Sequence, residues 1–192
     1  MENNRVGTEK FQIRRSGSGW EATGELQLDS GGAKVVETSS LRLDGALHPA
    51  SYERAQKSPR SGKLAVQFGA TETTLVTTTD GEPDEQVFYL PANNLAVLDT
   101  NFFHHFALLL RLYDRARGGA QPFNVFIPQE ALPGTINLQL VANETVSVGQ
   151  ENKQLDHFQA VTEEVQIEIW ATPDGAMQRL SIPQAKLEVV RE

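Results

Sequence analysis

The chain has 192 residues, 39% of them hydrophobic and 22% charged, with 17 Lys and Arg against 25 Asp and Glu and no cysteine. A chain of this size buries roughly 70% of the surface its unfolded form exposes, so one domain over 1–192 needs neither disulfide nor structural metal, and the missing cysteines exclude thiolate zinc sites, iron–sulfur clusters and cysteine nucleophiles. A formal charge of -8 is the wrong sign for attraction to phosphate backbones, so no nucleic-acid partner is expected.

The start, Met1-Glu2-Asn3-Asn4-Arg5, has neither a basic nor an apolar signal region, and no stretch has the 18 or so apolar residues of a membrane span. Two readings fit this polar start. Either it is a native cytosolic N-terminus, or the initiator methionine stands where a secretion signal has been removed. No internal repeat is expected.

Alternation of apolar and polar residues recurs along the chain and predicts half-buried strands. In chain order it is clearest at Trp20 to Leu28, Leu64 to Phe68, Phe123 to Ile127, Ile136 to Ala142 and Val165 to Ile169. Weaker versions lie at Phe11 and Ile13, Ser39 to Leu43, Val87 and Tyr89, Leu180 and Ile182, and Leu187 and Val189. Turn signals separate them at Asp29-Ser30-Gly31-Gly32, Asp80-Gly81-Glu82-Pro83 and Pro173-Asp174-Gly175, and Ala55 to Gly62 reads as a long hairpin loop. Connections this short require antiparallel neighbours, which predicts a mainly antiparallel sheet of about ten strands.

The exception to period two is a helix over about 100–117, with Asp99 or Thr100 as N-cap and Gly118-Gly119 as the stop. At about 100° per residue, Phe102, Phe103, Phe106, Leu109, Leu110 and Tyr113 share one face, with His104, Arg111 and Arg115 opposite. Leu108 and Leu112 fall beside His104 and His105, so the helix is apolar around most of its circumference and must be enclosed on more than one side. The predicted fold class is mainly β with one central helix. It is a large curved antiparallel sheet, or half-barrel, wrapped around a single long apolar helix that packs in its concave face.

Three stretches carry a resemblance: Val6 to Ile13, Val97 to Phe103, and Ile167 to Ala171 continuing through Asp174-Gly175 to Leu180-Ser181-Ile182-Pro183. In this order they resemble uncharacterised bacterial periplasmic proteins similar to the LolA-like lipoprotein and lipid carriers. The resemblance implies an incomplete antiparallel barrel over helical segments, an interior that holds acyl chains, and a periplasmic or secreted location, with a cytoplasmic one as the alternative. It transfers no residue role.

Sites of catalysis are weakly signalled. Among His48, His104, His105 and His157, the adjacent pair His104-His105 diverges by about 100° on a helix and cannot easily hold one ion, so no metal and no cofactor is predicted. Asp156 and His157, as strand neighbours, point to opposite faces, and Glu163-Glu164 is split in the same way. No nucleophile elbow is present, and Ser16-Gly17-Ser18-Gly19 precedes a strand, so it lacks the helix N-terminus that cradles an anion.

The reading that follows is a non-catalytic exported protein that binds a lipid or another hydrophobic small molecule beside His105, Leu108, Arg111 and Leu112, with the cationic edge suited to an anionic head. The bland alternative for that edge is a solvent-facing helix side with Arg111 paired to an acid. Two other classes stay open: a hydrolase-type enzyme built on His104 or His105 and sheet carboxylates, and a structural or interaction module using a sheet edge.

Overall fold

The computed structural model describes residues 5–30, 32–58, 61–91, 93–149 and 151–192. The chain divides into two compact units, Met1–His105 with Phe126–Pro133, and Phe106–Val125 with Gly134–Glu192. The first contains β1 (Gly7–Ser16), β2 (Gly19–Ser30), β3 (Ala33–Leu43), β4 (Pro49–Ser58), β5 (Gly62–Phe68), β6 (Thr73–Thr79) and β7 (Glu82–Phe88), paired antiparallel in sequence order.

A second seven-stranded sheet has the order β14-β13-β12-β11-β10-β9-β8. Its strands are β8 (Leu95–Val97), β9 (Gln121–Ile127), β10 (Leu132–Val148), β11 (Glu151–Val161), β12 (Gln166–Ala171), β13 (Met177–Ile182) and β14 (Leu187–Val190). The protein is thus mainly β, but the one large sheet expected from the sequence is two. Twist accumulates across neighbouring strands, and open sheets beyond about ten strands curl, split or flatten.

Helix α1 (His104–Leu112) has nine residues and is shorter than the predicted 100–117. Ahead of it, Asp99 Oδ1 accepts the Asn101 N–H at 3.1 Å and holds a turn. The Phe103 N–H donates to Glu9 Oε2 on β1 at 3.1 Å, so a strand carboxylate, not a local N-cap, meets an orphan donor at the positive end of the helix. Past the helix, Asp114 accepts the N–H groups of Ala116 and Arg117 at 2.9 and 3.3 Å, and the Gln121 amide bonds both the N–H and the C=O of Asp114 at 3.0 and 2.7 Å. These side-chain bonds compete with the helical ladder and end it before Gly118.

The turn chemistry matches the sequence at Asp80-Gly81, where φ values of 53° and 88° make the two-residue turn that suits a twisted hairpin. Gly31 lies outside the described residues. The predicted loop from Ala55 to Gly62 is mostly strand, since β4 runs to Ser58 and β5 starts at Gly62, while Pro59 and Arg60 lie outside the described residues.

One short repeat does exist. Ile127-Pro128-Gln129-Glu130-Ala131-Leu132 and Ile182-Pro183-Gln184-Ala185-Lys186-Leu187 each close a hairpin with a single 3-10 turn and a left-handed residue, Ala131 at φ 49° and Lys186 at φ 52°. Proline pre-sets the first turn position, and the glutamine anchors a neighbouring segment. Gln129 Oε1 accepts the Thr100 N–H at 3.0 Å, and the Gln184 amide, oriented to satisfy both groups, spans the Gln166 C=O and N–H at 3.1 and 3.2 Å.

Candidate functional site

Strand register in the first unit places an unusual set of side chains on one buried face. Along one row Phe11 pairs with Gly24, Gly24 with Ser39, Ser39 with Arg54 and Arg54 with Leu64. The rows beside it bring Leu26 to Glu37, and Leu41 to Tyr52 to Val66. Strand faces normally divide into apolar and polar, yet this buried face carries Glu37, Ser39, Tyr52 and Arg54 among its leucines and valines.

The charges on it are matched. Arg54 grips Glu37 with two bonds, Nε to Oε2 at 3.1 Å and Nη2 to Oε1 at 2.6 Å, and their side chains are only 18% and 4% exposed. The Tyr52 hydroxyl donates to Asp99 Oδ2. Burial pushes the Asp99 carboxyl above its usual range against the hydrogen bonds from Tyr52 and Asn101, and burial, followed by the Asp99 charge, pushes the Tyr52 phenol well up.

Both histidines of the adjacent pair belong to this cluster. His104 and His105 are each 0% exposed, and their rings meet edge to face with centroids 4.5 Å apart. This corrects the expected stripe of His104, Arg111 and Arg115 on a polar face. His104 is the first residue of α1, so the helical angle between neighbours does not separate its ring from that of His105. His104 Nδ1 bonds Glu9 Oε1, and its ring stacks on Phe11 at 5.4 Å. His105 Nδ1 accepts the Asp99 N–H at 3.2 Å, and its ring meets the edge of Tyr52 at 5.5 Å. Burial holds the His105 imidazole well below its usual range, and the charge of His104 lowers it further.

Gly24 makes room for the pair. A Cβ there would lie 2.8 Å from His104 Cε1 and 2.9 Å from Phe102 Cδ1. Three buried polar atoms of the cluster, Ser39 Oγ, His104 Nε2 and His105 Nε2, have no hydrogen-bond partner among the described residues.

The other predicted site residues belong to the second unit, where Leu108 is buried, Leu112 half-buried and Arg111 exposed. The charge of Arg111, after the Thr172 hydroxyl bond, helps to lower the Asp174 carboxyl. Arg115 lies beyond the helix and bonds Asp156 Oδ2 at 2.7 Å, while Asn143 Nδ2 donates to Asp156 Oδ1 at 2.7 Å. His157 points away from buried Asp156, as strand neighbours should. It sits between Glu168 at 2.6 Å and Glu144 at 3.1 Å and stacks on Trp170 at 4.6 Å. Among the described residues, no buried side-chain polar atom of His157, Glu168, Glu144 or Trp170 lacks a partner.

Sequence reasoning singled out His104 and His105, gave Asp99 only as a helix N-cap, and did not single out Glu9, Glu37, Ser39, Tyr52 or Arg54. A signal was there: Glu37 and Ser39 share parity with Leu41 and Leu43, so charged or polar residues occupy the buried phase of β3. A groove of about 280 Å³ lies along β3 to β5, lined by residues of both strand parities, with Ser39, Arg54 and Leu64 of the buried face beside Thr38, Ser40 and Lys63. Neither histidine lines it. Among the described residues no group of three His, Asp or Glu side chains could hold a metal ion, and no helix is long and apolar enough to cross a membrane.

Fold and site together define an antiparallel β protein of two meandering sheets with a polar cluster buried on a sheet face. The structure is similar to the crystal structure of a DUF1089 family protein from Pseudomonas aeruginosa, with a TM-score of 0.58 and 12% identity over 88% of this chain and 87% of that one. At that identity the likeness shows the fold alone. No family model matches the sequence, and no curated protein does.

Proposed function

We propose that this is a non-catalytic binding protein, exported to the periplasm, that takes up a lipid or other amphipathic hydrophobic molecule. The observation that carries the reading is the set of three buried, unpartnered polar atoms, Ser39 Oγ, His104 Nε2 and His105 Nε2, on a face that also carries Leu26, Leu41, Leu64 and Val66. A buried polar atom without a partner costs about 1–3 kcal/mol, so three together call for polar groups from outside the chain. An amphipathic molecule supplies them at one end and apolar surface at the other.

The test is native mass spectrometry of the purified protein together with uptake of the uncharged probe N-phenyl-1-naphthylamine. Saturable uptake or a co-purified lipid mass is expected. A clean apo mass with no uptake overturns the reading.

The hydrolase alternative has one observation in its favour, the His104–Glu9 contact beside the Ser39 hydroxyl. An acyl-transfer site needs a bond from nucleophile to base, however, and Ser39 Oγ and His104 Nε2 make none. Labelling by a fluorophosphonate that is lost in Ser39→Ala would establish the enzyme, and the binding reading expects no labelling.

A further inference from the structure

The three unpartnered atoms are not interchangeable, because what each ring does with its other nitrogen decides what it offers. His105 Nδ1 accepts a backbone N–H, so it carries a lone pair and the ring proton sits on Nε2. His105 therefore presents a donor. His104 Nδ1 faces a Glu9 carboxylate oxygen, so a proton sits there, and in the neutral form of the ring Nε2 is an acceptor. Ser39 can both donate and accept. The rings are 4.5 Å apart, His104 lies over Gly24, and Ser39 stands opposite Gly24 in register. One donor, one acceptor and one hydroxyl are thus gathered at one place on the sheet.

The charge around them disfavours anionic lipid heads. Glu9, Glu37 and Asp99 contribute three carboxyl groups, against the Arg54 guanidinium and the one imidazole, His104, not already committed to neutrality. With Glu9 and Glu37 ionised beside their partners, Arg54 and a charged His104 at most balance them, and an ionised Asp99 makes the sum negative, so the cluster has no net positive charge. Arg54, its fixed cation, is held in both bonds by Glu37. A buried carboxylate or phosphate would find no free cation among these groups and would face uncompensated acids.

Resting on the binding reading above, we propose that the buried polar end of the ligand is an uncharged hydroxyl, as in a long-chain alcohol or an acylglycerol, accepting from His105 Nε2–H and donating to His104 Nε2 with Ser39 Oγ alongside. This replaces the anionic head suggested by the Arg111 edge. A hydroxyl is the smallest group that donates and accepts at once, and it adds no charge to a site that has none to spare.

The test is displacement of N-phenyl-1-naphthylamine at pH 7.5 by four amphiphiles with the same twelve-carbon chain: 1-dodecanol, 1-monolauroylglycerol, dodecanoate and dodecyl phosphate. The two alcohols are expected to displace the probe at about tenfold lower concentration than the two anions, the ratio that about 1.4 kcal/mol produces. Ser39→Ala and His105→Phe, with folding checked by circular dichroism, are each expected to weaken the alcohols several-fold and leave dodecanoate unchanged; should His105→Phe not fold, Ser39→Ala decides.

If the probe binds and the anions compete as well as the alcohols, the hydroxyl assignment is overturned and the binding reading survives. If alcohols are preferred but Ser39→Ala leaves that preference intact, the assignment to this cluster is overturned. If neither the probe nor any amphiphile binds, the binding reading itself fails, and a trapped water is the partner of these atoms.

Discussion

The two units solve the same problem with opposite placements of polarity. In the second, the buried strand positions are Ile136, Leu138, Leu155, Phe158, Ala160, Ile167, Ile169 and Leu180, while the brace of His157, Trp170 and Glu168 is only partly buried. Its buried acid, Asp156, is shared between Arg115 and Asn143. In the first, Glu37, Ser39, Tyr52, Asp99, His104 and His105 are all within the core. A polar surface brace is inexpensive because water holds whatever the partners do not. A polar core is costly and persists only where its bonds are complete or where something else completes them.

The contrast is sharpest if the buried ion pair is opened. Arg54→Met leaves Glu37 charged and enclosed, and a loss of about 3–5 kcal/mol is expected, roughly a 10 °C fall in melting temperature for a chain of this length. The double variant Glu37→Leu/Arg54→Met should recover most of it. The counterpart in the second unit, Arg115→Met, leaves Asp156 its bond from Asn143 and should cost about 1 kcal/mol. Equal losses in the two thermal melts would end the comparison.

Smaller effects are expected from shape and from single bonds. Gly24→Ala places a methyl group 2.8 Å from His104 Cε1 and should cost about 1–3 kcal/mol. Tyr52→Phe removes the hydroxyl that bonds Asp99 and should cost a similar amount by chemical denaturation.

The histidine core also makes a pH prediction. The folded pKa of His105 lies well below the unfolded value near 6.5, so its contribution is present above pH 6.5 and lost as the pH falls from there toward the folded value. The slope is at most about 1.4 kcal/mol per pH unit for the one proton the unfolded chain takes up. Asp99, raised by burial, works in the opposite sense: its contribution is full below 3.8 and is lost as the pH rises through its folded value. Subtracting the stability curve of His105→Phe from that of the wild type isolates the histidine, and a flat difference below pH 6.5 would show that it does not titrate in this way. The least effect belongs to the outer brace, where His157→Ala should change stability by no more than about 1 kcal/mol in the same denaturation assay.

The strands that the sequence shows and those it hides differ for the same reason. β2, β5 and β12 alternate cleanly, because their buried positions are apolar. β4 hides as a loop because its buried positions hold Tyr52 and Arg54, and its sequence ends in Ala55-Gln56-Lys57-Ser58. β6 hides in a run of threonines. The elements that carry the candidate site are therefore the ones a hydropathy pattern underrates. The helix errs in the other direction: its apolar composition extends past the point where the Asp114 and Gln121 side chains take over its backbone bonds.

By itself the sequence determined the class, a mainly β chain of antiparallel hairpins with one helix, because alternation and turn residues are local properties that each segment carries alone. Tertiary structure decided the division into two sheets and the place of His104 and His105. It also decided the pairing of Glu9, Glu37, Tyr52, Arg54 and Asp99, which come from segments far apart in the chain. Whether a glutamate is a solvated charge or a buried partner depends on which strand lies opposite it, and register is set by pairing across the sheet, not by the residues on either side.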